Sequence, residues 1–213
     1  MRTRVKVCGL TREQDVACAV ALGVDAIGLV FHAPSPRAVS IDRAAKLLDA
    51  VPAFVTAVGL FVDAEAELVR QVLERVPLGA LQFHGREPPA YCAAFGRPWI
   101  KAIAMRDGID PLGEAQRYTG AASLLLDTFD ARIAGGTGRR FDWDLIPPAL
   151  APKIILAGGL DPGNIAAAIA RVRPYAVDVS GGVELAKGVK DPNKLAEFMQ
   201  GVRNGDQTRP DLR

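Results

Sequence analysis

Several short stretches carry residue types that can move protons or hold anions: RVKVCG around Cys8, HAPSPR ending at Arg37, LQFHG with His84, LLLD ending at Asp127, LAGGLDPGN with Gly158 and Gly159, and VDVSGGVE with Ser180, Gly181 and Gly182. A free thiol has a pKa of ~8.5, so a base role for Cys8 requires nearby positive charge. Lys6 lies two residues earlier and therefore on the same face of an extended strand. Asp178 shares its parity with Ser180, so if the strands that carry Cys8 and Asp178 adjoin, Lys6 and Asp178 pair. That pair either tunes Cys8 or only fixes packing. Taken alone, a cysteine is more often an inert core residue than a catalyst.

Asp127 closes the apolar run ASLLLD, which a carboxylate has no packing reason to end; capping a turn is its plainer use. As an acid near neutral pH it has to be partly withdrawn from water. A thiol and a carboxyl facing each other make an acid and base pair for moving protons between adjacent carbons. Two prolines stiffen HAPSPR and present Arg37, whose planar fork suits a carboxylate; a solvated surface arginine is the competing use. His84, with Gln82 on the same face, either hydrogen-bonds a ligand or satisfies a polar rim. The two glycine turns offer backbone N–H groups that converge on an anion such as phosphate, although paired glycines also serve as simple turns. Neither is a P-loop, because no Walker lysine follows.

These residues recur at the ends of apolar runs of strand length: 4–8, 25–31, 54–61, 80–83, 99–103, 123–127, 153–157 and 176–179. Helical spacing fills the intervals at 13–22, 43–50, 65–75, 111–118, 162–172 and 192–202, with a weaker segment at 88–95 and one at 142–150 interrupted by Pro147 and Pro148. Alternation of this kind means a parallel sheet. Eight such units without a longer interruption favour closure into a single-domain (β/α)8 TIM barrel over an open doubly wound sheet. Ligand chemistry then belongs at the C-terminal ends of the strands, where the candidate residues stand. The connection from Thr128 to Arg140, with Gly135, Gly136, Thr137 and Gly138, is long for this architecture and either closes over a ligand or wanders on the surface. The barrel is expected over residues 1–203 and a frayed polar tail over 204–213.

Composition narrows the class. With 213 residues and 49% hydrophobic content, one core is the expectation. Lys and Arg number 26 against 24 Asp and Glu, in mixed order, which predicts no nucleic-acid stripe and no polybasic membrane patch. Three cysteines without metal-type spacing point to reduced thiols, a cytoplasmic address and no metal. No apolar run approaches the ~20 residues that span a bilayer.

Taken together, RVKVCGLT, LVFHAPSPR, LQFHG, LLLDT, GGTGRRFDW, LAGGLDPGNI, VDVSGGVE and KGVKD strongly resemble the phosphoribosylanthranilate isomerase family of tryptophan biosynthesis, over nearly the whole chain. KVCGLT with DVSGGVE is specific in combination. The resemblance implies an Amadori rearrangement of N-(5-phosphoribosyl)anthranilate without metal or organic cofactor. It assigns Asp127 as general acid, Cys8 as general base, Arg37 to the anthranilate carboxylate, and Gly158, Gly159, Ser180, Gly181 and Gly182 to the phosphate. Where the family's usual motif reads DVSSGVE, this chain has Gly181, so a contact there runs through the backbone N–H. The implied partner is a small phosphosugar, with the chain acting as a monomer or a homodimer. A histidine-pathway or bifunctional phosphoribosyl isomerase is the alternative enzyme; those use paired aspartates and a twofold repeat of phosphate motifs, against Cys8 here. A phosphosugar-binding barrel without catalysis is the alternative outside enzymes.

Overall fold

The structure is a computed structural model that describes residues 2–106, 108–128 and 141–208. Eight strands close a barrel in sequence order: β1 (Arg4–Cys8), β2 (Ala26–Val30), β3 (Thr56–Phe61), β4 (Ala80–Phe83), β5 (Trp99–Met105), β6 (Ser123–Thr128), β7 (Ile154–Leu156) and β8 (Ala176–Val179). All neighbours are parallel, and the seam aligns Lys6 of β1 with Asp178 of β8. The expected (β/α)8 barrel is what the chain forms.

The strands read as unbroken apolar runs because both of their faces are covered. Inward-facing Val58, Ala80, Ile100, Ala102, Leu125, Ile155, Ala157 and Ala176 fill the barrel, while Val5, Val7, Ile27, Leu29, Leu81, Phe83, Leu124, Leu126 and Val177 pack outward. The outer layer comprises α1 (Glu13–Ala21), α2 (Ile41–Leu48), α3 (Ala66–Arg75), α4 (Pro89–Cys92), α5 (Pro111–Arg117), α6 (Ile165–Val172) and α7 (Pro192–Gln207). Local chemistry sets their starts. Ser40 accepts from the Arg43 N–H ahead of α2, Asp110 from the Leu112 N–H ahead of α5, and Asp191 from the Asn193 and Lys194 N–H groups ahead of α7. Pro111 and Pro192 occupy first-turn positions, where a missing N–H costs nothing.

Three differences from the sequence expectation have physical causes. The segment at 142–150 forms no α-helix; its prolines leave short 3-10 turns at Trp143–Leu145 and Ala151–Lys153. Helix α7 continues past Arg203 to Gln207, because Gly205 lets it approach Ile169 of α6 and Asp206 accepts from the Thr3 N–H and hydroxyl. A small antiparallel hairpin, β9 (Glu184–Ala186) and β10 (Val189–Lys190), follows β8 where only a loop was expected. Of the connection from Thr128 to Arg140, residues 129–140 lie outside the described residues, as do 209–213 of the tail. Among the described residues, no helix is long and apolar enough to cross a membrane.

Candidate active site

A cavity of about 480 Å³ opens at the C-terminal ends of the strands, and every candidate residue lines it: Cys8, Arg37, His84, Asp127, Gly158, Gly159, Ser180, Gly181 and Gly182. The chemistry-bearing side chains come from β1, β6 and the turns after β2, β4 and β8, with the glycine turn after β7 beside them, and barrel closure brings them together.

Cys8 ends β1 and is 5% exposed, seated beside Val30 and Leu60 yet lining the cavity. Room for its sulfur comes from Gly28, the β2 residue in register with it. A Cβ at position 28 would stand 2.6 Å from Cys8 Sγ. The expected Lys6–Asp178 pair is present, with Nζ donating to Oδ1 at 2.9 Å and both groups buried. Burial works against the Lys6 ammonium, but Asp178 and Cys8 outweigh it and hold the ammonium charged. Lys6 favours the thiolate but does not outweigh burial. Burial pushes the Cys8 thiol up, and Lys6 offsets only part of it, because Asp178 stands beside the same ammonium. At neutral pH the Cys8 side chain is therefore held as the thiol.

Asp127, near the end of β6, accepts from the Thr128 N–H through Oδ1 at 2.8 Å and lies 3.2 Å from His84 Nε2 through Oδ2. The turn-capping use and the cavity position thus coexist. Gln82 Nε2 lies 3.0 Å from His84 Nδ1. When Gln82 donates to Nδ1, the remaining ring proton sits on Nε2 and is donated to Asp127, a tautomer assigned from this chain of contacts. Gln82 lines the cavity as well, and its buried Oε1 has no partner among the described residues.

Arg37 is not a solvated surface arginine. It is 8% exposed, and its Nε and Nη2 donate to the two carboxylate oxygens of Glu184 at 2.8 and 2.7 Å. One edge of the fork is therefore committed, and Nη1 is the nitrogen left for another anion. Glu184 also accepts from Lys190 Nζ at 2.9 Å. Burial alone would raise its carboxyl, but Arg37 and Lys190 together hold it below the ordinary value. Lys190 is not among the candidates that the sequence offers; the charged residues of the KGVKD motif are the signal that could have found it.

Gly158 and Gly159 adopt φ of +82° and +63°, and a Cβ at 158 would meet the Thr128 backbone nitrogen at 2.5 Å and Asp127 Oδ1 at 3.0 Å. Asn164 holds the turn by donating to the Gly159 carbonyl at 2.8 Å. After β8, Gly181–Val183 forms a 3-10 turn, and the Ser180 hydroxyl donates to the Cys8 carbonyl at 3.1 Å, tying the last strand end to the first. Gly181 carries no side chain into the cavity.

Fold and site together define a (β/α)8 barrel whose strand mouth sets a thiol and a carboxyl–imidazole pair around one cavity flanked by glycine turns. Comparison with known proteins names the family. Residues 5–201 match the family described as N-(5'phosphoribosyl)anthranilate (PRA) isomerase, and the chain belongs to it. A relative from Nitrosococcus oceani, an N-(5'-phosphoribosyl)anthranilate isomerase, is 55% identical over 202 residues, covering 95% of this chain and 98% of its own. The solved phosphoribosyl anthranilate isomerase of Thermotoga maritima superposes with a TM-score of 0.86 at 38% identity, covering 94% of this chain and 98% of its own. A phosphoribosyl anthranilate isomerase solved with reduced 1-(o-carboxyphenylamino)-1-deoxyribulose 5-phosphate gives a TM-score of 0.83 at 36% identity, with 94% and 98% covered.

Proposed function

We propose that this chain converts N-(5-phosphoribosyl)anthranilate into 1-(2-carboxyphenylamino)-1-deoxyribulose 5-phosphate, the aldose–ketose isomerisation of tryptophan biosynthesis, with Asp127 as general acid and Cys8 as general base. The observation that carries this assignment is that Cys8 on β1 and Asp127 on β6 line one cavity.

In this reading Asp127 protonates the furanose ring oxygen; the C1–O bond breaks and the anilino nitrogen lone pair forms a C1=N iminium ion. The iminium acidifies the proton on C2, and its positive charge adds to that of Lys6 beside the Cys8 thiol. That second cation shifts the sulfur toward thiolate when the intermediate forms, against the effect of burial. Cys8 then takes the C2 proton. The C–H electrons form C1=C2 while the iminium π electrons return to nitrogen, giving an enolamine. Loss of the enol proton and protonation of C1 complete the ketone.

The other groups hold the substrate. Arg37 offers Nη1 to the anthranilate carboxylate, with its orientation set by Glu184. The N–H groups around Gly158, Gly159, Ser180, Gly181 and Gly182 receive the phosphate, position 181 through its backbone alone. His84 holds Asp127 and lines the cavity beside it. No metal or organic cofactor is required by these steps. The active unit is one barrel, as a monomer or a homodimer, since each of these groups comes from a single chain, and the three unbridged cysteines agree with a cytoplasmic setting. A fluorescence assay for loss of phosphoribosylanthranilate with purified protein tests the assignment: decay well above the spontaneous background is expected, and none would leave a phosphosugar-binding barrel without turnover.

A further inference from the structure

Lys190, in the KGVKD segment, is fully buried and holds two groups at once: Nζ donates to Glu184 Oε1 at 2.9 Å and to the Ser180 carbonyl at 3.0 Å. Neither partner is incidental to the cavity. Glu184 grips the Arg37 fork, and Ser180 opens the turn after β8.

The two bonds have distinct consequences. In a planar trans peptide the carbonyl of one residue and the N–H of the next point in opposite directions. An ammonium fixed on the Ser180 oxygen therefore turns the Gly181 N–H away from Lys190 and adds positive charge behind that dipole; Gly181 itself lines the cavity. On the other side, Arg37, Glu184 and Lys190 form a buried group of two cations and one carboxylate. The other charges packed around Lys190 do not correct this excess. Asp15 accepts from the Lys190 N–H but is already paired with Arg12, and Lys194 donates to the Glu184 carbonyl, adding a further cation. An uncompensated buried cation is costly until an anion completes it. The adjoining cavity is where that anion enters.

We propose that Lys190 is a positioning residue that couples the two anion-binding ends of the cavity, fixing Arg37 through Glu184 and aiming the Gly181 N–H through the Ser180 carbonyl. The proposal rests on the carboxylate and phosphate assignments made above. It accounts for a buried lysine on a hairpin whose two strands, among the described residues, pair only with each other, and for a turn after β8 that has Gly181 in place of a serine hydroxyl.

The test uses the whole protein and two simple probes, anthranilate and inorganic phosphate, as competitive inhibitors of the isomerase reaction. In K190M both inhibition constants rise about tenfold, the scale of one charge-assisted hydrogen bond, and KM for the full substrate rises with them while kcat changes less than about threefold. K190R, which reaches both oxygens with a charged group, restores most of the affinity. E184Q keeps the Lys190–Ser180 bond and weakens anthranilate alone; it carries the test if K190M does not fold, as read by thermal melting. Wild-type affinity for both probes in folded K190M overturns the proposal, and so does equal weakening of both probes in E184Q. Wild-type protein that binds neither probe removes the site assignment itself and the coupling with it, whereas wild-type binding with an indifferent K190M removes the coupling alone.

Discussion

The two sides of the barrel mouth treat their ionisable groups differently. Around β1 and β8, Cys8, Lys6 and Asp178 are 5%, 4% and 9% exposed, a nearly buried set of ionisable groups of which Cys8 and Asp178 still line the cavity. Around β4 and β6, the side chains of His84 and Asp127 are 26% and 17% exposed where they line the same cavity. A buried base is held in its neutral form until a charged intermediate arrives beside it. A half-open acid can regain its proton from water between turnovers. The order of the proposed steps, acid before base, follows from this contrast.

Removing either proton-transfer group gives the largest expected effect. Cys8→Ser and Asp127→Asn each lower kcat by about 10²- to 10⁴-fold, because a hydroxyl is a far weaker base and an amide has no acidic proton to give. Both are nearly isosteric, so melting temperatures should stay close to wild type. Stopped-assay kinetics beside thermal melts make the check, and near wild-type turnover in either variant would break the pairing of closed base and open acid.

Much of this contrast was legible in the sequence, and the remainder was hidden for definable reasons. Strand ends could be read because apolar runs covered on both faces end abruptly at polar residues such as Asp127. The period of two along a strand put Lys6 beside Cys8 and, once closure was inferred, opposite Asp178. The grip of Glu184 on Arg37 was not legible: the residues are 147 positions apart and meet only through a hairpin of two very short strands. Nor could the state of the Cys8 thiol be read, since the outcome depends on how far Val30, Leu60 and the neighbouring strands exclude water. From sequence, Lys6 alone predicts a thiol shifted down; with burial and Asp178 included, the shift is upward.

That upward shift gives the contrast a pH signature. Below the thiol pKa the thiolate fraction grows tenfold per pH unit, so the rate at which iodoacetamide alkylates Cys8 in the free protein, read on the Cys8 peptide, should still be climbing above the ordinary thiol value of ~8.5. A plateau reached at or below that value would place Cys8 in a less buried setting than the structure describes. Lys6→Met sharpens the measurement: it removes the cation and leaves Asp178 near the sulfur, so the climb moves to higher pH and activity at neutral pH falls about tenfold for each unit of displacement. Next in size is Gly28→Ala. Its Cβ would lie 2.6 Å from Cys8 Sγ and 3.0 Å from the Cys8 Cα, so the thiol must move, and about tenfold in kcat should be lost with KM little changed. Unaltered kcat in that variant would mean that the sulfur's position on the closed side is not restrictive.

The smallest expected effect concerns the open side and decides what His84 does for Asp127. If the imidazole only holds the carboxyl by donating from Nε2, a glutamine at position 84, whose amide nitrogen reaches about as far, preserves that bond, while alanine abolishes it. On this view His84→Ala lowers kcat by about three- to tenfold, the scale of one hydrogen bond near the reacting group, and His84→Gln recovers most of it. If the ring also passes protons between water and Asp127, glutamine cannot substitute, and both variants fall equally, with a solvent isotope effect that grows relative to wild type. The difference between the two variants therefore separates an acid that is positioned by its neighbour from one that is recharged through it.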